Sequence, residues 1–160
     1  MNNKKEIYAS RSFFPSKEEI QQLKSSNIKL FAWETKKPLK DHNLLLFSLS
    51  FETGIMNALE MLQLSGIPLY SRHRGFRHPL IIGGGPIASY NPEVLSEFFD
   101  VFVVGDGEEV IHEIIDAYVE SKKKNFSKKE ILKKFMKICG LYIPSFYRFV
   151  YKADGKIKEI

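Results

Sequence analysis

The sequence predicts an α/β fold built on a doubly wound parallel sheet. Three observations carry that prediction. Short apolar runs at 44–50, 79–82 and 101–104 have the near-continuous hydrophobic character of strands buried on both faces of a parallel sheet. Segments with apolar residues at helical spacing follow each of them. The connections are short and several contain glycine, which is the alternation expected of βαβ units.

The elements follow in order. Residues 5–14 are extended in character and suit a first strand. Ser16-Lys17-Glu18-Glu19 is a capping box, in which the serine oxygen takes a first-turn amide and Glu19 reaches back; it predicts a helix to about Ser26 with Ile20 and Leu23 inward. Residues 28–33 alternate weakly and suggest a second strand, ended by Lys36-Lys37-Pro38. Leu44-Leu45-Leu46-Phe47-Ser48-Leu49-Ser50 is the first buried strand. A helix over 53–64 follows, with Ile55, Met56, Leu59 and Leu62 at helical spacing and Gly66 at its end. After an arginine-rich loop at 71–78, the strand at 79–82 runs straight into glycines. Asn91-Pro92 reads as N-cap and first helical position of the next helix, with Val94, Leu95, Phe98 and Phe99 inward. The strand at 101–104 leads to a helix from about 108 to 121, whose inner face is Val110, Ile111, Ile114, Ile115 and Tyr118.

Beyond Ser121 the pattern changes, which suggests two parts, 1–121 and 122–160. Ser127-Lys128-Lys129-Glu130 is a second capping box and opens a helix with Ile131, Leu132, Phe135 and Met136 inward, closed by Gly140. Residues 147–151 read as a strand, and Asp154-Gly155 is a hairpin signal with little chain after it.

Composition bounds the function. A chain of 160 residues with 44% hydrophobic content is a globular domain of ordinary size. No apolar run approaches the ~20 residues that span a bilayer, and the basic N-terminus leads into no secretory h-region. Cys139 is the one cysteine, so this chain alone makes no disulfide, no four-cysteine zinc site and no iron–sulfur cluster. The cytoplasm is the expected compartment. The net charge of +5 is local: lysines crowd residues 122–137, and Arg72, Arg74 and Arg77 lie together. Such runs serve RNA or an acidic partner, or they are a solvated helix face and a basic loop.

Ligands of open parallel sheets bind beyond the carboxyl ends of the strands. The first such exit offers Ser48, Ser50, Glu52 and Thr53. The second is Gly83-Gly84-Gly85-Pro86, where consecutive glycines allow close backbone approach, or simply a tight turn. The third is Gly105-Asp106-Gly107-Glu108-Glu109, whose acids suit a helix N-terminus with or without a functional task. No P-loop, no Gly-x-Gly-x-x-Gly fingerprint and no Gly-x-Ser-x-Gly elbow is present. The four histidines do not pair with Cys139 at metal-ligand spacing and read as loop or surface residues. No residue stands out as catalytic, and none as a metal ligand.

The combination Ile81-Ile82-Gly83-Gly84-Gly85-Pro86, Asn91-Pro92-Glu93 and Asp100-Val101-Phe102-Val103-Val104-Gly105-Asp106-Gly107-Glu108-Glu109 resembles the cobalamin-binding-like, Rossmann-like N-terminal domain of radical S-adenosylmethionine (SAM) proteins. In that superfamily a Gly-Gly-Pro loop and a Gly-Glu-Gly-Glu loop recur at these strand ends; Asp106 stands for the glutamate here. Phe47-Ser48-Leu49-Ser50-Phe51-Glu52, Ala58-Leu59-Glu60-Met61-Leu62, Ser65-Gly66-Ile67-Pro68-Leu69 and Gly140-Leu141-Tyr142-Ile143-Pro144-Ser145 extend the resemblance to bacterial proteins that fuse this domain to a radical SAM barrel.

The resemblance implies an accessory domain that positions a corrinoid or a substrate, and therefore cobalamin as a candidate cofactor. It implies a [4Fe–4S] cluster and S-adenosylmethionine in a separate barrel, the expected partner. The Cys-x-x-x-Cys-x-x-Cys signature of that barrel and the cobalt-ligating Asp-x-His-x-x-Gly motif are both absent from this chain. The family also places a strand and helix before the segment resembling 5–14, so the chain reads as truncated at both ends. A missing interior strand leaves a hydrophobic edge, and self-association is expected. Two other readings remain at this point. One is a cofactor-free docking module that binds RNA through residues 122–137. The other is a stand-alone enzyme using Glu52, Asp106 and Glu108.

Overall fold

The computed structural model describes residues 7–160, whose main sheet has four strands in the order β1-β2-β3-β4. β1 (Leu44–Ser48), β2 (Leu80–Gly84) and β3 (Val101–Val103) run parallel. β4 (Leu141–Tyr142) lies antiparallel beside β3. In register, Ser48 faces Gly84 and Gly83 faces Phe102. The α/β, Rossmann-like fold expected from the sequence is the fold adopted.

Strand side chains alternate between the two faces of a sheet, and this divides the core in two. Ile81 and Phe102 join the first core, together with Leu62 of α2 (Thr53–Leu64) and Ala88 of α3 (Pro86–Tyr90). Ile20 and Leu23 of α1 (Lys17–Ser25) pack against it, as their spacing predicts. Leu80, Ile82, Val101 and Val103 join the second core. That core is completed by Ile114 of α4 (Gly107–Lys123) and by Ile131, Leu132 and Phe135 of α5 (Lys128–Phe135). Both capping boxes form: Ser16 Oγ accepts from the Glu19 amide at 3.2 Å while the Glu19 carboxylate takes the Ser16 amide at 2.7 Å, and Ser127 and Glu130 repeat the exchange.

Several elements depart from the expectation. Residues 7–14 form no strand, and residues 5 and 6 lie outside the described part of the chain. Residues 28–33 hold only an isolated bridge between Phe31 and Pro38. The alternation there is real, because Leu30 and Ala32 are buried. It serves packing rather than pairing: the Leu30 amide donates to Leu64 O at the end of α2. The helix expected from Asn91 is a single 3-10 turn, Pro92–Leu95, and Asn91 makes no side-chain cap. Leu95 and Phe99 are buried as expected, but Val94 is 65% exposed. Residues 86–90, expected as loop, are helical instead and leave too little chain for a second full helix before Asp100. Met56 points out, since α2 buries the face that carries Ala58, Met61 and Leu62.

β1 is the largest correction. It lies at the edge of the sheet, and Leu46 is 49% exposed rather than buried. Leu44 packs beside the second core, whereas Leu46 does not belong to it. The strand expected at 147–151 narrows to β5 (Val150–Tyr151), which pairs with β6 (Ile157–Glu159) around the Asp154-Gly155 turn, apart from the main sheet.

The basic loop at 71–78 also differs from its solvated reading. Arg74 is buried, and its Nη1 donates to Pro68 O at 3.0 Å and Leu69 O at 2.6 Å. Its Nη2 donates to Phe98 O at 2.7 Å and to Asp100 Oδ2 at 3.0 Å. Asp100 Oδ2 also accepts the Ile81 amide at 2.8 Å, and Lys128 Nζ pairs with Oδ1 at 2.8 Å. One carboxylate thus joins β2, the arginine loop and the start of α5. Burial lowers the Arg74 pKa and the Asp100 charge opposes that shift, so the guanidinium stays charged.

Candidate functional site

The carboxyl ends of β1, β2 and β3 open onto the three loops picked out in the sequence. Backbone bonds stitch the loops together. The Leu49 amide donates to Gly84 O at 2.8 Å, and the Ile87 amide donates back to Leu49 O at 3.1 Å. Ser89 Oγ links the second loop to the third: it donates to Gly85 O at 3.2 Å and accepts from the Gly105 amide at 3.0 Å. The Val104 amide donates to Gly140 O at 2.8 Å, which brings the start of β4 to the same end.

The glycines at this end do different things. A Cβ on Gly83 would meet the rings of Phe102 and Phe99 at 3.0 Å, so the room at this position is filled by the first core. Gly85 has φ +95 and sits against the Leu49 backbone, where a Cβ would come within 3.0 Å of Leu49 O. That close approach is what seats α3, with Pro86 at its first position. At Gly84 a side chain would make only ordinary contact with Val103. Gly105 and Gly107 have open space where a Cβ would stand. The backbone left accessible to a ligand is therefore that of Gly105 and Gly107 more than that of Gly83 and Gly85.

Ser48, Ser50, Glu52, Thr53 and Pro86 are exposed around this surface, and so are Asp106 and Glu108. Asp106 takes the N-cap place of α4 but makes no side-chain cap hydrogen bond, and Glu108 and Glu109 fill the first turn. Negative charge is favourable at a helix N-terminus, so these acids also suit α4 itself. The first two loops also present large aromatic side chains that the sequence reading did not single out: Phe51 is 72% exposed and Tyr90 is 87% exposed. Neither carries a sequence signal of its own, because an aromatic in a loop looks the same whether buried or presented. Ser89 was equally silent, since its role depends on where Gly105 lies in space.

The loops at 48–53, 83–91 and 104–109 contain no histidine and no cysteine. Among the described residues no group of three or more histidines, cysteines or carboxylates could hold a metal ion. No helix among them is long and apolar enough to cross a membrane. In the basic stretch at 122–137, Lys122 lies over the Phe76 ring at 4.2 Å, and Lys124 and Lys134 both pair with Glu120. With Lys128 on Asp100, much of that charge is already engaged inside the protein.

The comparison with known families falls on this same frame. A family model described as radical SAM proteins, N-terminal, matches residues 1–144. The chain belongs to this radical SAM N-terminal family. No curated protein and no solved structure matches it. The matched span takes in the three parallel strands, all three loops and β4. Membership associates this radical SAM N-terminal domain with a radical SAM catalytic domain, and it implies a [4Fe–4S] cluster and S-adenosylmethionine for the full protein.

Proposed function

We propose that this domain positions a corrinoid or a substrate against the catalytic barrel of a radical SAM enzyme, with no chemistry of its own. One observation carries the reading: three loops at the carboxyl end of a parallel sheet are tied side by side, the third with open backbone at Gly105 and Gly107 and the first two with exposed Phe51 and Tyr90. That is the end where open α/β sheets take ligands. Aromatic side chains and uncovered glycine backbone suit a large planar ligand or a partner surface better than they suit acid–base work. Ser48, Ser50, Glu52, Thr53, Asp106 and Glu108 supply polar contacts on the rim.

A corrinoid fits these loops only in one manner. Its hard chemistry is its own, and the protein supplies place and surroundings. With no histidine in the loops, it would take no cobalt ligand from them and would rest on backbone amides, hydroxyls and the Phe51 and Tyr90 rings. The test is incubation of the purified chain with hydroxocobalamin. Co-elution on gel filtration with a changed visible spectrum is expected, and both should weaken in a Phe51→Ser, Tyr90→Ser variant. An unchanged spectrum with no retention would remove the corrinoid and leave a substrate or the barrel itself as what this face meets.

A further inference from the structure

A cavity opens at the other end of the sheet, where Ser71–His73 and Asp100 lead into the amino ends of β2 and β3. It is a half-open cleft of about 500 Å³, within the ~300–1,000 Å³ typical of small-molecule sites. Phe99, Leu132 and Phe146 give it an apolar floor. Arg72, Arg74, Lys128 and Lys129 give it a cationic wall, against which Asp100 is the one carboxylate.

The donors divide into spent and unspent. Lys128 Nζ is spent on Asp100 Oδ1, Ser71 O and Arg74 O. Both terminal nitrogens of Arg74 are spent on carbonyls and on Asp100. The Arg74 Nε is buried and has no partner among the described residues. Arg72 holds Glu97 only at 3.4 Å, with both side chains well exposed. Asp100 is one carboxylate against four lining cations, and Glu97 meets Arg72 only at the exposed rim, so the wall keeps an excess of positive charge. An anion with several acceptor oxygens answers that excess, and planar guanidinium groups suit phosphoryl oxygens in particular.

We propose that this cavity binds a phosphate monoester of a small organic molecule. Its phosphoryl oxygens take the exposed Arg72 and Lys129, with the buried Arg74 guanidinium behind them in the wall, and its organic body rests on Phe99, Leu132 and Phe146. The site is separate from the glycine-loop face and stands or falls independently of it.

Phenyl phosphate is the probe, titrated into the ¹⁵N-labelled 160-residue chain with the arginine Nε–Hε signals as readout. The Arg74 signal should shift and saturate. An Arg72→Ala, Lys129→Ala double variant, which alters only exposed side chains, should weaken binding by about tenfold or more. Lys137→Ala removes a charge elsewhere on the basic stretch and should leave the affinity unchanged. No saturable shift, or a shift that survives the double variant, overturns the site. Equal affinity for inorganic phosphate overturns the organic ester. Salt-dependent binding of single-stranded RNA with no response to phenyl phosphate overturns the proposal in favour of a nucleic-acid surface.

Discussion

Arg74 Nη2 donates to Asp100 Oδ2 at 3.0 Å with both side chains sealed from solvent, the two residues being 26 positions apart in the chain. The same carboxylate accepts the Ile81 amide and pairs with Lys128. A buried pair adds little net stability over an apolar replacement, but breaking one side leaves a buried charge without its partner. Asp100→Ala should therefore destabilise the fold by about 3–5 kcal/mol, read as a lower denaturation midpoint in urea. A loss under about 1 kcal/mol, the scale of an exposed pair, would show that Arg74 finds solvent in the variant.

The glycines separate by the same reasoning. Gly83→Ala pushes a methyl group against Phe99 and Phe102 and should cost about 1–3 kcal/mol, the usual price of overpacking. Gly85→Ala adds left-handed strain to a clash with Leu49 and should cost more. Gly107→Ala meets nothing within 4 Å and should stay within about 0.5 kcal/mol of the parent. Thermal melts of the three variants give the order. A Gly107→Ala variant that melts normally but loses ligand retention is the clean test of the glycine-loop face.

Acid should loosen two exposed contacts. Hydrogen bonds from the Arg11 amide and guanidinium hold Glu34 down to about 2, and Lys124 and Lys134 hold Glu120 down to about 2. A carboxylate whose folded pKa is depressed stabilises above its unfolded pKa and loses that contribution as the pH falls through the folded value. The window runs from the ordinary carboxylate range down to about 2. Carboxyl NMR titration should give midpoints near the low end that rise with added salt, since both groups are open to solvent. Midpoints near the ordinary value of about 4.3 would mean the pairs are not populated in solution.

β1 should make the isolated chain self-associate. It is an edge strand with Leu46 half exposed and no strand on its free side among the described residues. Sedimentation velocity should show concentration-dependent association that Leu46→Lys reduces, because a charge on an edge strand opposes pairing. A single monomeric species at all concentrations would overturn this.

The sequence by itself determined most of the frame. The apolar runs placed β1, β2 and β3, the two serine–glutamate boxes placed the starts of α1 and α5, and Gly66 marked the end of α2. These are local signals, written within a few residues by side-chain period and by hydrogen bonds between neighbours. Tertiary structure decided the rest. Whether Leu46 is covered depends on which helices lie over β1, and residues 28–33 pack like a strand without joining the sheet. The Gly83-Gly84-Gly85 run reads as an open cradle in sequence, yet two of its positions are filled by Phe99, Phe102 and Leu49 from elsewhere in the chain. Arg74 reads as a surface cation until Asp100 arrives beside it. Period and capping act between near neighbours, whereas burial and charge pairing depend on residues that only folding brings together.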